Sequence, residues 1–284
     1  MTVLEVIKKS SEFLAKKGVD SPRLQTELLL AHLLKLPRMK LYLNFERTLL
    51  PTELDALRAL VMRRAQREPL QHIIGSASFC GLEMLVNKHV LVPRPETELL
   101  AELGWQFLSS INSHPPTCLD FGTGSGCIAI AIAAKCPTTR IVAVDISPEA
   151  IAVARQNAAT HHVVDRVEFR CGDGFTTLSG ADKFDLIVSN PPYIASDEIA
   201  TLETEVREYD PRGALDGGAD GLDFYRRLAT EAGAFLKPGG KITIEFGDDQ
   251  TKEISDIFTA ERWTVESVHL DYTKRERLLT ATCS

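Results

Sequence analysis

No stretch of this 284-residue chain approaches the roughly 18 consecutive apolar residues of a membrane-spanning helix. The N-terminal stretch, MTVLEVIKKSSEFLAKKG, lacks the apolar core of a secretory signal and instead alternates apolar and Lys residues at helical spacing. A cytoplasmic protein is the expectation. None of the 6 cysteines (Cys80, Cys118, Cys127, Cys136, Cys171, Cys283) forms a C-x-x-C pair, and most sit in apolar runs. This argues against a zinc site or a disulfide framework and for buried free thiols. The 7 histidines show no H-E-x-x-H or comparable ligand spacing, so no metal is expected, and His161-His162 reads as a solvated loop. Basic charge is scarce beyond the front of the chain. Residues 1–70 carry 13 Lys and Arg against 8 Asp and Glu, whereas the remainder has 19 against 31. An acidic main domain argues against a long duplex-DNA footprint, which needs several phosphate-neutralising cations. The basic front end could meet an acidic protein or RNA, or be a solvated helical face.

What is present is soluble and globular in composition, 44% hydrophobic and 25% charged, and long enough for one large domain or an ordinary domain plus a small one. Residues 1–70 are strand-poor and rich in Leu, Lys, Arg and Glu. Val3, Val6, Ile7, Phe13 and Leu14 fit one helical face, and Ser21-Pro22 opens a second helix with proline at its first position. Pro37 then separates Met39 to Phe45, and Thr52 is expected to cap a helix from Glu53 to Gln66. The expectation is a small helical bundle whose job is partner recognition. Residues 71–92 change character: apolar residues interspersed with Gly and Ser, and turn residues at Cys80-Gly81, read as a β-hairpin link. From 93 to 284, a helix from Leu99 to Leu108 is followed by strands alternating with helices, the pattern of a doubly wound α/β sheet. Its last two strands, Thr264–Leu270 and Arg277–Cys283, are joined too closely for a crossover helix and should pair antiparallel. For Arg94, Glu96 and Glu98 two readings stay open, a helix N-terminus whose acids offset the macrodipole or a ligand-facing role.

Two stretches carry chemistry. Ser189-Asn190-Pro191-Pro192-Tyr193 follows the apolar strand Phe184–Val188, and the two prolines end that strand and stiffen the turn. At the C-terminal edge of such a sheet, where ligands bind, the Asn190 side-chain oxygen and a rigid carbonyl make paired acceptors suited to a planar NH2 group. Upstream, Gly122-Thr123-Gly124-Ser125-Gly126 lies between a strand and a helix, so backbone can approach a ligand closely. Asp145, at the end of the next strand, can accept from two ribose hydroxyls. The nicotinamide fingerprint G-x-G-x-x-G is not met, because Cys127 stands where its third glycine would be. Asp120 puts a carboxylate beside the loop, which suits a cationic methionine moiety better than a pyrophosphate. Asp173, at the third strand end, could accept from an adenine amino group.

With these residues placed, the chain resembles the HemK/PrmC family, the N5-glutamine methyltransferases of peptide chain release factors. The segments that carry the likeness are VPRPETE at 92–98, DFGTGSGCIAIAIA at 120–133, NPPYI at 190–194, ALDGGADGLDFYR at 214–226 and LKPGGKITIEFG at 236–247. The resemblance implies a seven-stranded Rossmann-like domain dependent on S-adenosylmethionine, preceded by a small helical domain and joined to it by a hairpin. It implies the glutamine of the Gly-Gly-Gln motif of bacterial class-one release factors as substrate. The cofactor would be held by Asp120, Gly122, Thr123, Gly124, Ser125, Gly126, Asp145, Asp173, Gly174 and Asn190. Asn190 and the Pro191 carbonyl would accept the two amide hydrogens, with Pro192 beside them and Tyr193 against the amide plane. No general base is needed, since the proton can leave after transfer, and Glu245 reads as structural. Two departures stand out. Phe121 replaces the usual Leu, and Gly174 stands where some relatives carry a large aromatic.

Three other readings compete. An N6-adenine DNA methyltransferase would use the same Asn-Pro-Pro-Tyr device but needs a basic groove and a target-reading domain. A non-catalytic adaptor that binds S-adenosylmethionine as a sensor would not need the intact turn. A nicotinamide oxidoreductase is disfavoured by the glycine spacing. A monomer with a release factor as partner, and with no DNA or membrane contact, is the expectation.

Overall fold

The computed structural model describes residues 1–283. The chain forms two compact units, one of residues 1–76 with 203–209, the other of residues 77–202 with the described residues from 210 onward. The smaller unit holds α1 (Val3–Lys16), α2 (Pro22–Leu34), α3 (Arg38–Tyr42), α4 (Pro51–Ala65) and α5 (Leu70–Ile74). Its core is Val3, Ile7, Leu14, Leu29, Leu30, Leu41 and Leu57, all at most 2% exposed. A capping box at Thr2 and Glu5 starts α1. The expected Thr52 cap is not the one used: α4 begins at Pro51, and the Glu53 carboxylate accepts from the Leu50 N–H at 2.8 Å. Proline fits the first helical position, and Glu53 caps the orphan donor from within. Residues 71–74, expected to open the hairpin, are instead part of helix α5, and Gly75 ends that turn with φ 85°.

Segment 203–209 counts with this unit through ion pairs. Glu205 accepts from Arg64 at 2.8 Å and from Arg67, and the Tyr209 hydroxyl donates to the Gln66 carbonyl at 2.8 Å. No sequence pattern pointed to this. The domain boundary therefore lies at 76 rather than 70, and the smaller unit is discontinuous.

The larger unit begins with a hairpin, β1 (Ser76–Phe79) and β2 (Leu82–Leu85), turning through Cys80 and Gly81 with φ 50° and 77°. Positive φ at both turn residues is the two-residue turn that matches strand twist. Then come α6 (Thr97–Ser110), β3 (Thr117–Phe121), α7 (Cys127–Lys135), β4 (Arg140–Asp145), α8 (Pro148–Thr160), β5 (Val167–Cys171) and β6 (Phe184–Ser189). After α9 (Thr204–Tyr209), the chain returns through α10 (Asp223–Glu231), β7 (Leu236–Glu245), α11 (Thr251–Ala260), β8 (Trp263–Leu270) and β9 (Glu276–Cys283).

The seven strands are ordered β5-β4-β3-β6-β7-β9-β8. The first five run parallel, and β9 joins β7 and β8 antiparallel, as the short final connection required. β6 is buried along its whole length and reads as a continuous apolar run because helices cover both faces. Helix α7 is buried from Cys127 to Ala133, hence apolar all round. The strand order reverses between β3 and β6, where Phe121 lies in register with Ser189. Ligands bind at that switch point in open α/β sheets. Both stretches singled out in the sequence end there. No described helix is long and apolar enough to cross a membrane.

Candidate active site

A cavity of about 300 Å³ opens at the switch point. Gly122, Thr123, Gly124, Ser125, Asp145, Asp173, Gly174, Asn190 and Pro192 all line it. Gly126 and Asp120 do not, nor do Pro191 and Tyr193. Gly122 and Gly124 have φ of 76° and 54°, and a Cβ on either would meet nothing within 4 Å. Their bare backbone forms one wall of the cavity, a cradle that side chains would fill. Asp145 fixes the loop from across the strand gap. Its Oδ2 accepts from the Gly124 N–H at 2.8 Å and its Oδ1 from the Ser147 N–H at 2.9 Å. Each oxygen keeps acceptor capacity for a ligand hydroxyl.

Asp120 sits beneath the loop with no exposed surface. Its Oδ2 accepts from the Thr123 hydroxyl at 2.6 Å and from the Ala129 N–H at 3.2 Å, tying the loop to the first turn of α7. Burial pushes this carboxyl up to about 7. Asp173 and Gly174 reach the cavity, but the Asp173 carboxylate is already paired with Arg227 of α10. The two departures from the family pattern touch each other. A Cβ at Gly174 would lie 2.5 Å from the Phe121 ring, and Gly174 has φ 53°. The Phe121 ring fills the space that a side chain at 174 would need, and the Arg227 guanidinium lies 5.9 Å from that ring's centroid.

Asn190 donates through Nδ2 to the Thr97 hydroxyl at 3.1 Å. With Nδ2 engaged, Oδ1 is left to accept. Ser189 locks the strand ends together by donating to the Phe121 carbonyl at 2.7 Å. Behind the turn, Ile194 pairs with the 215–217 stretch through N–H bonds at 3.0 Å and 2.8 Å. A Cβ at Gly217 would be 2.8 Å from the Pro192 carbonyl oxygen, and one at Gly221 would be 2.4 Å from that of Tyr193. Gly217 and Gly221 of the GGADG stretch are thus needed for space against the Asn-Pro-Pro-Tyr backbone. Tyr193 is half-buried, its carbonyl accepts from Gln250 at 3.0 Å, and burial pushes its phenol up to about 12, so it stays neutral.

Sequence reading missed several lining residues: His89, Pro211, Ala214, Phe224 and Arg227. Arg94 also lines the cavity and donates to Asp210 at 3.1 Å, while Glu98 accepts from the Cys80 N–H. It also missed Asn157 of α8, which holds Leu85 of the hairpin through bonds of 2.7 Å and 3.0 Å and the Ser125 carbonyl at 2.9 Å. None of these has a spacing signal, because each is brought in by packing between elements far apart in sequence. Among the described residues no group of His, Cys, Asp and Glu could hold a metal ion.

A glycine loop after the first parallel strand, an acid ending the second, and an Asn-Pro-Pro-Tyr turn ending the fourth, all at one switch point, define a Rossmann-like methyltransferase dependent on S-adenosylmethionine. Solved methyltransferases share the fold: one from Pyrococcus furiosus (TM-score 0.52, 21% identity, 71% of this chain and 88% of that one) and the 16S rRNA N2 G1207 methyltransferase of T. thermophilus (TM-score 0.52, 19% identity, 74% and 50%). The PrmC N-terminal domain family matches residues 5–75 and the methyltransferase small domain family residues 103–206. Release factor glutamine methyltransferases of Geobacter sulfurreducens (46% identity over 91% of this chain and 88% of theirs) and Chlorobaculum tepidum (42% over 97% and 95%) are similar nearly end to end. The chain belongs to the release factor glutamine methyltransferase family.

Proposed function

We propose that this protein transfers a methyl group from S-adenosylmethionine to the side-chain amide nitrogen of a release-factor glutamine, the one in the Gly-Gly-Gln motif of the class-one factors. The observation that carries the reading is the meeting of the glycine cradle, Asp145 and Asn190 at one cavity. The cradle fits the cofactor. Gly122 and Gly124 let it approach, Asp145 can take the ribose hydroxyls, and Asp173 with Gly174 borders the adenine end. Asp120 and Gly126 would act from below, one through Thr123 and the other as the cap of α7. When bound, S-adenosylmethionine supplies an electrophilic sulfonium methyl.

The protein's share is positioning. An amide nitrogen is a poor nucleophile because its lone pair is delocalised into the carbonyl. Asn190 Oδ1 and the Pro191 carbonyl accept its two hydrogens and aim the nitrogen, and Pro192 and Tyr193 hold that geometry rigid. With the methyl supplied by the cofactor, the surplus proton of the amide nitrogen would pass to water afterwards, so no side chain of this site would be needed as a base. Most of the gain is orientation and local electrostatics rather than base catalysis. The neutral phenol of Tyr193 is consistent with that. The helical unit, with its basic balance, is the partner-recognition module. The protein acts as a cytoplasmic monomer without DNA or membrane contact.

The test is transfer of labelled methyl to three acceptors in parallel: a bacterial release factor, that factor with its Gly-Gly-Gln glutamine changed to Ala, and unmethylated duplex DNA. Label on the first alone is expected, and Asn190→Ala should cut kcat by about 10²–10³-fold. Label on DNA would overturn the substrate.

A further inference from the structure

Thr97 lies in the VPRPETE stretch, and the mechanism above gives it no task. It is the first residue of α6 and 3% exposed. Its hydroxyl oxygen accepts from Asn190 Nδ2 at 3.1 Å. A hydroxyl has one proton, and its oxygen is already occupied as an acceptor, so that proton is free to be donated elsewhere. The acceptor at hand is Glu245. This residue ends β7, one position beyond Ile244, and Ile244 is in register with Ser189, so Glu245 stands beside Asn190 across the parallel pair. It is 2% exposed, and its Oε2 is buried without a hydrogen-bond partner. Burial pushes this carboxyl up to about 7, and Thr97 and Asn190 beside it pull in the opposite direction.

We infer that Thr97 and Glu245 are positioning residues that fix which way the Asn190 amide faces. Glu245 takes the Thr97 proton, so Thr97 can only accept from Asn190. Nδ2 is therefore held on the Thr97 side and Oδ1 is presented to the substrate. The two ends of an Asn side chain are nearly the same shape, so packing alone does not choose between them. Turned over, Asn190 would oppose a donor to the donor hydrogens of the substrate amide. The inference rests on the methyl-transfer reading, but the orientation itself can be measured without a substrate.

The experiment uses the full chain and the variants Thr97→Val, Thr97→Ser and Glu245→Gln, each checked by thermal melting. The chain has five asparagines (Asn44, Asn87, Asn112, Asn157, Asn190), so selective ¹⁵N-asparagine labelling gives few side-chain amide pairs, and Asn190→Ala assigns the relevant one. In the native chain and in Thr97→Ser this pair should exchange slowly with water. In Thr97→Val it should shift and exchange at least tenfold faster. In methyl transfer to a release factor, Thr97→Val should lose ten- to a hundredfold in kcat, with KM for both substrates within about threefold, and Thr97→Ser should recover most of it. Native Asn190 signals and kcat in a folded Thr97→Val would overturn the proposal, as would a Thr97→Ser no better than Val. A Glu245→Gln indistinguishable from the native chain in both readouts would remove Glu245 from it. If the native chain does not methylate the release factor, the substrate reading fails, and the amide signals still decide the orientation.

Discussion

Phe121 and Gly174 show a volume exchange between the end of β3 and the turn after β5, two positions on either side of β4. The aromatic ring occupies the space a side chain at 174 would take, and the positive φ there disfavours any residue but glycine. Gly174→Leu should therefore force the ring toward the cavity and weaken S-adenosylmethionine binding about tenfold by calorimetry, the expected scale of overpacking. The double variant Phe121→Leu with Gly174→Leu should recover part of that loss, the backbone strain at 174 remaining. Equal weakening in the single and double variants would show that the ring is not the obstacle. Neither position has any motif of its own, and their contact became visible only once β3 and the turn after β5 were placed.

At the scale of elements, the site is held by a few cross-links between segments that are local in structure and distant in sequence. Asn157 of α8 is 1% exposed and bonds both the hairpin and the glycine loop. Asn157→Ala leaves three backbone groups unpaired, and a loss of about 2–3 kcal/mol in unfolding free energy is expected, with weaker cofactor binding because the Ser125 carbonyl is released. Denaturant titration and calorimetry on the same sample check both. The connection from β5 to β6 is pinned by Asp182, which Arg170 bonds at 2.9 Å and 3.2 Å and Ser179 supports. Arg170 chiefly holds the Asp182 carboxyl down to about 2. A depressed carboxylate pKa adds stability above its unfolded value, near 4, and that stability is lost as pH falls toward 2. Asp182→Asn should thus cost about 1 kcal/mol at pH 7 after screening, and its deficit against the native chain should vanish as the pH drops through this window in thermal melts.

At the scale of the molecule, the smaller unit is completed by residues that lie deep in the sequence of the larger one. Arg64 is 4% exposed, and its partner Glu205 comes from segment 203–209. Removing one member of a buried ion pair strands the other, so Glu205→Ala should destabilise the helical unit by about 2–4 kcal/mol. Hydrogen exchange should show the lost protection in residues 1–76, with S-adenosylmethionine affinity, a property of the other unit, unchanged. Unaltered exchange would make the pair energetically neutral.

The sequence by itself determined the alternation of strands and helices, the antiparallel close of the sheet, the Cys80-Gly81 turn, and the glycine loop, Asp145 and Asn190 as strand-end residues. Periodicity and turn chemistry act over a few neighbouring residues, so a linear reading reaches them. It read the helical bundle but closed it too early, because what completes it at 203–209 is ion pairing, which has no period. Tertiary structure alone decided that Asp120 lies under the loop rather than on the cavity, that Arg227 borders the site, and that Asn190 rests on Thr97. Those contacts depend on sheet order and strand register, which bring side chains within hydrogen-bonding distance from positions that no local pattern connects.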